Sequence, residues 1–420
     1  MSAENSPPPT SKTPSRPELR SLRRTRPRRW PASIATFFAR ETGSGALLLA
    51  AAVIALGWAN SPWRSTYEQL FGAPVGVRVG GFAFVRDLRF WIDDGLMAVF
   101  FFTVGLEIKR ELQGGELGTI RRAALPALAA LGGMLVPGAI YLALNAGTAA
   151  ARGWGIPMAT DIAFAVGVLA LLGRRVSPAL RITLLALAVI DDLGAVAVIA
   201  LFFSSGLGLS GLAVAGLGLA AIQAMKLLGA RAPWAYVPPA ILTWAGAYAG
   251  GVHPALAGVA VGLMTPAPPL ERLEHALAPW VNLGIMPLFA LANAGVGLAA
   301  IELRDTGRVF LGVALGLVLG KPIGVVGLGW IAVRLRLARL PDGTSWSGML
   351  VLGVIAGTGF TMSLFMTSLA LSPGSALATA RLGILAASAV AALAGLIAGR
   401  LLLPRPAQPI DFESTRETAR

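Results

Sequence analysis

The chain has 420 residues, 55% of them hydrophobic and only 13% charged, with a mean hydropathy of +0.70. A soluble domain carries about 25% charged residues and single cores stop growing near ~250–300 residues, so a soluble enzyme and a disordered scaffold are both excluded. With no Cys and two His, disulfides, thiol nucleophiles and a transition-metal cage are excluded as well, and the net charge of +14 has to be located before it is interpreted.

Residues 1–40 are a compositional regime of their own, rich in Pro, Ser and Arg, with Arg23, Arg24, Arg26, Arg28 and Arg29 in one run. No apolar core of a signal peptide follows the basic residues. The stretch reads as a disordered basic cytoplasmic tail lying against anionic lipid headgroups. Its near lack of aromatics argues against a nucleic-acid partner.

From residue 44 onward twelve apolar segments follow, at 44–60, 91–108, 123–145, 156–172, 179–203, 207–227, 232–250, 252–264, 280–299, 309–333, 347–370 and 379–402. Most have the length that spans ~30 Å of hydrocarbon, and lipid demands that backbone hydrogen bonds close within each segment. The prediction is an all-α polytopic membrane protein of twelve transmembrane helices. The eighth segment is short, and merging it with the seventh would leave eleven. The membrane domain is expected over 41–402, with core spans in 91–203 and 309–402 and a cytoplasmic C-terminal tail at 403–420.

With the N-terminus inside, 26 of the 35 Lys and Arg fall on the cytoplasmic side and eight outside, with Lys321 left in a span. The positive-inside rule therefore puts both termini in the cytoplasm. The first outer loop, 61–90, alternates through Val75, Val77 and Val79, turns at Gly80-Gly81, and alternates again from Phe82. That pattern predicts a small extramembranous β-hairpin, whose open edges could pair with a second copy.

A charge at mid-membrane costs roughly 2.5–3.5 kcal/mol even on the gentler scale and marks an ion or proton pathway. Asp161 follows Thr160 in the fourth segment, Asp191 and Asp192 are adjacent in the middle of the fifth, and Lys321 precedes Pro322 in the tenth. Asp93, Asp94 and Glu107 lie within a turn or two of an interface, where water can solvate them. Adjacent helical residues point about 100° apart, so Asp191 and Asp192 cannot do the same job. One can pair with Lys321, while the other, desolvated beside a like charge, accepts a proton readily and is also a hard ligand for a small cation. A group that holds H⁺ or a cation, but not both, is the minimum machinery for antiport.

Segment four is interrupted at Gly155-Ile156-Pro157 and segment eleven at Ala356-Gly357-Thr358-Gly359-Phe360. Paired breaks in two halves predict inverted repeats with two crossed, discontinuous helices around a midplane site. Asp161 would offset positive helix N-termini there and Lys321 negative C-termini. An intramembrane aspartyl protease would need Tyr-Asp and Gly-x-Gly-Asp strings on separate helices, and neither occurs. A retinal protein using Lys321 is disfavoured by Pro322 and the number of spans. The nearest rival is a cation-coupled transporter of a small organic anion.

Many stretches in one order resemble the NhaA-type bacterial Na⁺/H⁺ antiporters over about residues 40–402. They include Val104-Gly105-Leu106-Glu107-Ile108-Lys109-Arg110-Glu111-Leu112, Ala159-Thr160-Asp161-Ile162-Ala163-Phe164, Ile190-Asp191-Asp192-Leu193-Gly194, Gly251-Val252-His253, Leu273-Glu274-His275, Gly320-Lys321-Pro322 and Gly359-Phe360-Thr361-Met362-Ser363. That family is itself a known case of inverted-repeat transporters, so the repeat reading is not independent of the resemblance. The resemblance implies electrogenic, pH-regulated exchange of cytoplasmic Na⁺ or Li⁺ for external H⁺ in the bacterial inner membrane, with no cofactor beyond the transported ions. It makes Asp192 the main ligand and proton carrier, Asp191 its neighbour and the partner of Lys321, and Thr160 and Asp161 contributors at the crossing. Asp94 is placed on the route through the membrane. A pH-sensing cluster maps onto Glu107, Arg110, Glu111, Glu274 and His275, with His253 a further candidate, and homodimerisation onto the 61–90 hairpin. The sequence departs from the family in a shorter, less basic 265–272 loop, in Ala278 where a second His is expected, and in the basic tail.

Overall fold

The computed structural model describes residues 32–114, 120–204, 206–230, 232–301 and 303–404, so the readings for residues 1–31 and 405–420 lie outside the described residues. The chain divides into two units, 1–40 and 41–420. Helix α1 (Ala32–Ala59) is followed by the short α2 (Arg64–Phe71) and the strands β1 (Pro74–Val79) and β2 (Phe82–Asp87). The single turn α3 (Leu88–Phe90) runs through a π-helical stretch, Trp91–Leu96, into α4 (Met97–Gly114). Next come α5 (Ile120–Asn145), a 3-10 helix at Ala149–Met158, α6 (Ile162–Leu171), α7 (Pro178–Phe202) and α8 (Leu209–Leu227). Then follow α9 (Val237–Ala249), α10 (Pro254–Met264), α11 (Ala267–Trp280) and α12 (Met286–Asn293). The last five are α13 (Leu303–Leu315), α14 (Lys321–Arg334), α15 (Trp346–Ala356), α16 (Phe360–Ala370) and α17 (Ser375–Leu402).

Among the described residues six helices are long and apolar enough to cross a membrane, and nine if each bent pair counts as one span. Their number and hydropathy define a multi-pass membrane protein. Two differences from the sequence reading stand out. Helix α1 begins at Ala32, inside the stretch assigned to a disordered tail, and Ala32 to Glu41 holds no Gly or Pro to break it. The outer loop holds α2 as well as the hairpin, bent by 117° from the end of α1. The seventh and eighth segments are separate helices, α9 and α10, divided by a turn in which Gly251 has φ +72°.

The hairpin is antiparallel with Val77 opposite Phe84, and Gly80 supplies the positive φ of +58° that its turn requires. It is tied to the helices by the Trp91 indole, which donates to the Val75 carbonyl at 2.8 Å. Arg86 donates to the Tyr248 hydroxyl at 2.8 Å and lies over the rings of Phe84, Phe90 and Tyr248.

The helices pack in two groups. A bundle is made of α5, α6, α7 and α13 to α17, and a panel of α4 and α8 to α12; they meet where α16 touches α12 and where α7 touches α4 and α10. In lipid there is little hydrophobic drive between helices, so close packing through small residues holds them. Within the bundle, a Cβ built on Gly132 of α5 would lie 2.1 Å from the Gly324 carbonyl of α14. Within the panel, one built on Gly258 of α10 would lie 2.2 Å from the Ala98 carbonyl of α4. The α5–α14 contact sets the position of Lys321, which opens α14.

Candidate functional site

Lys321 reaches the interior because of its neighbour. Pro322 has no N–H to give the preceding turn, and the chain absorbs this with a π-helical stretch, Gly316–Gly320, before α14 begins at Lys321. The side chain of Lys321 is fully buried.

Two breaks face it. The 3-10 helix and α6 are bent by 44° across residues 159–161, and α15 and α16 by 48° across residues 357–359. The first break therefore lies just beyond the predicted Gly155-Ile156-Pro157, which stays helical in 3-10 form. Polar side chains at Thr160 and Asp161 can satisfy the opened backbone, whereas residues 155–157 have none that could. The breaks touch: the Asp161 N–H donates to the Thr358 carbonyl at 2.8 Å, and the Ser363 hydroxyl to the Ile156 carbonyl at 2.8 Å. A Cβ on Gly359 would lie 2.3 Å from the Ser363 hydroxyl oxygen, so glycine is required there.

Asp161 is fully buried and closes two helix starts with one carboxylate. Its Oδ1 accepts from the Phe164 N–H at 3.0 Å, and its Oδ2 from the Thr361 N–H at 3.0 Å and from the Thr361 hydroxyl. A negative charge at the N-termini of α6 and α16 is favoured by both helix dipoles. As the sequence suggests, the Lys321 ammonium donates to Asp191 Oδ2 at 2.5 Å, and it also donates to the Thr160 hydroxyl at 2.9 Å, rather than sitting at the negative helix C-termini. Thr160 is the group that meets the α15 end, with its hydroxyl 2.7 Å from Asp191 Oδ2 and 3.0 Å from the Ala356 carbonyl.

Asp191 and Asp192 diverge as adjacent helical residues must. Asp191 pairs with Lys321; Asp192, 1% exposed, turns elsewhere. Among the described residues no side chain or backbone group donates to Asp191 Oδ1 or to either oxygen of Asp192. Buried polar atoms are almost always hydrogen-bonded, so three such oxygens on neighbouring carboxylates point to a proton or a hard cation as their partner. Asp192 lies in the field of Glu107, Asp191 and Asp161, which favours a cation, and of Lys321, which opposes it. Among the described residues no three His, Cys, Asp or Glu converge as a metal-ligand set. A cation at Asp192 would therefore need neutral oxygens to complete its shell.

The remaining residues singled out in the sequence fall in two other places. Asp94 lies 3.2 Å from the His253 Nε2. The His253 Nδ1 accepts from the Ala255 N–H and caps α10, so in the neutral imidazole Nε2 carries the proton that points to Asp94. His253 thus stands apart from the other pH-sensing candidates. Arg110 gathers Glu107 at 3.9 Å, Glu111 at 3.5 Å and Glu274. His275 is exposed and makes none of these contacts. Sequence reasoning missed the roles of Thr358, Thr361 and Ser363, which join the two breaks, and those of Asn293 and Arg381. Arg381 lies in α17 and is 7% exposed. The available signal was an arginine following Ala378-Thr379-Ala380, with no further charge in its helix until Arg400 in the last turn.

The broken helices, the dry lysine–aspartate pair and the unpartnered carboxylate define a membrane carrier for a small ion. The chain belongs to the Na⁺/H⁺ antiporter 1 family, whose model matches residues 35–398. It is 49% identical to Na(+)/H(+) antiporter NhaA 2 of Myxococcus xanthus (strain DK1622), over 90% of this chain and 91% of that one. It is 50% identical to Na(+)/H(+) antiporter NhaA of Acidovorax sp. (strain JS42), over 86% of this chain and 89% of that one. Among solved structures, the sodium proton antiporter MjNhaP1 from Methanocaldococcus jannaschii at pH 8 aligns with a TM-score of 0.52. That alignment covers 88% of this chain and 99% of the other at 15% identity, and it speaks to the fold alone.

Proposed function

We propose that the protein exchanges Na⁺ or Li⁺ for H⁺ across the bilayer, with Asp192 as the carboxylate that binds either the cation or the proton. The observation that carries this is the pair of unpartnered, buried Asp192 oxygens beside an Asp191 already matched by Lys321. A deprotonated Asp192 binds the cation, with Asp191 Oδ1 and the Thr160 hydroxyl as neighbouring oxygens. When the cation leaves on the other side, the carboxylates take up protons and return. Lys321 offsets the charge of Asp191 whenever that carboxylate is ionised, and Asp161 caps α6 and α16. If more protons return than cations leave, each cycle moves net charge and is driven by the membrane potential, ~2.3 kcal/mol per charge per 100 mV. The relatives' names support a transporter rather than an enzyme. A carrier of organic anions would need a free fixed cation at the site, and Lys321 is engaged by Asp191.

The helices can be grouped as twelve spans, with α3 and α4, the 3-10 helix and α6, α11 and α12, α13 and α14, and α15 and α16 each taken as one. In this reading α5 to α7 and α13 to α17 form inverted repeats, with the two breaks crossing at their centre. The expected sidedness has both termini in the cytoplasm of a bacterial inner membrane. Arg110, Glu107, Glu111 and Glu274 then form a cytoplasmic pH-responsive cluster, Asp94 and His253 line the route to the outer side, and the 61–90 hairpin pairs two copies as a homodimer. The test is dissipation of a pre-formed proton gradient by Na⁺ or Li⁺ in proteoliposomes. The expected outcome is exchange by the parent chain and none by Asp192→Asn or Asp191→Asn; normal exchange by Asp192→Asn would sink the assignment.

A further inference from the structure

Three polar side chains that this mechanism does not use are joined in a line across the boundary between bundle and panel. Arg381, in the second turn of α17, donates through Nη2 to Asn293 Oδ1 at 2.9 Å. Asn293, fully buried at the end of α12, donates through Nδ2 to Asp93 Oδ1 at 2.6 Å. Asp93 lies in the π-helical stretch before α4 and in the field of the Arg381 guanidinium. The amide is a relay: it accepts from the cation and donates to the carboxylate, joining two opposite charges on different helices. None of the three shares a hydrogen bond with Asp191, Asp192 or Lys321.

The placement of Arg381 is informative. A cation near the start of its own helix is opposed by that helix dipole, whereas the C-terminal end of α12 attracts it. Helix α17 packs on α6, α13, α15 and α16 in the bundle, while α12 and the Trp91–Leu96 stretch pack on each other in the panel. The compensation of Arg381 is therefore on the other side of the boundary, and its Nε has no partner among the described residues. A movement that separates bundle from panel at this contact parts the chain, and a buried charge left unpaired is strongly disfavoured.

We propose that Arg381 is a positioning residue for transport, which latches bundle to panel through Asn293 and Asp93 in the arrangement seen and must release them for the alternate one. This rests on the exchange reading above and on its need for two alternating arrangements. Because the chain has no Cys, cysteines placed at the exposed Ser372 and Leu209 give a specific spin-label pair, one label beside α17 and one at the start of α8. In proteoliposomes, double electron–electron resonance reads the two bundle-to-panel distance populations, and Na⁺-driven turnover is measured on the same samples. Arg381→Ala is expected to change the population ratio by ~10-fold or more, the effect of losing a charged hydrogen bond. It should also lower kcat by a similar factor and leave the KM for Na⁺ within about twofold. Asn293→Ala should reproduce this, and Arg381→Lys, which can still donate to the Asn293 amide oxygen, should restore part of it. Unchanged distances and turnover in both alanine variants would overturn the latch, as would a raised KM at unchanged kcat. If Arg381→Ala does not fold, Asn293→Ala and Arg381→Lys decide the matter by the same readouts. Failure of the labelled parent to exchange Na⁺ for H⁺ would instead reject the exchange reading, with the distance shift still reporting on the latch.

Discussion

Lys321 with Asp191 and Arg110 with its three glutamates are the same chemistry in two media. The first pair is fully buried, at 2.5 Å, among helix breaks. In the second cluster Arg110 is 44% exposed and the distances to Glu107 and Glu111 are 3.9 and 3.5 Å. At low dielectric one unmatched charge dominates the local energy; near water the same loss is solvated away. In the proposed cycle the charge of Asp191 is therefore governed by Lys321 while Asp192 changes state beside it. In the second cluster the arginine keeps access to water, so no single charge there controls the local energy in that way.

The comparison can be broken by substitution, beginning with the largest effect. Lys321→Ala leaves Asp191 as an uncompensated buried charge and should cost ~3–5 kcal/mol, read as a lower midpoint in thermal unfolding in detergent. The double variant Lys321→Met with Asp191→Leu should recover most of that stability while exchange remains lost; no recovery would mean the pair is not the source of the cost. Thr160→Val removes the hydroxyl that meets Asp191, Lys321 and the Ala356 carbonyl. It should lose about 1–3 kcal/mol, with Thr160→Ser close to the parent in the same unfolding measurement. Gly324→Ala forces α14 away from α5, where its Cβ would lie 2.0 Å from the Gly132 carbonyl. A loss of about 1–3 kcal/mol is expected, with reduced exchange because Lys321 moves with α14. Arg110→Ala is the smallest: at most ~1 kcal/mol, shrinking further in high salt. A salt-insensitive loss as large as that of Lys321→Ala would erase the distinction between the two regions.

How much of this was legible depended on the residue. Asp191, Asp192 and Lys321 announced themselves, because no interface is near enough to explain a charge in those apolar runs. The breaks were legible to within a few residues from Gly and Pro, but Pro157 proved compatible with a 3-10 helix and the opening moved to Thr160 and Asp161. Thr361 and Ser363 stood in a stretch resembling the antiporters but showed no role of their own, since a hydroxyl in a membrane helix usually bonds its own preceding turn and reveals a distant partner only when the second break arrives beside it. Arg381 went unnoticed for a related reason: near the end of an apolar segment an arginine reads as an interfacial residue unless its depth is known.

By itself, the sequence determined that lipid is the main solvent, that the chain crosses it as helices, that a hairpin follows the first of them, and that a few charges must lie in the interior. These are local consequences of hydropathy, of backbone hydrogen bonding and of turn chemistry, and they need no knowledge of which helix meets which. Only the tertiary structure decided the other partners: Asp161 to two helix starts, His253 to Asp94, and Arg381 through Asn293 to Asp93. Each depends on the rotation and depth of one helix against another, which close contacts such as Gly132 against Gly324 set across nearly two hundred residues of chain.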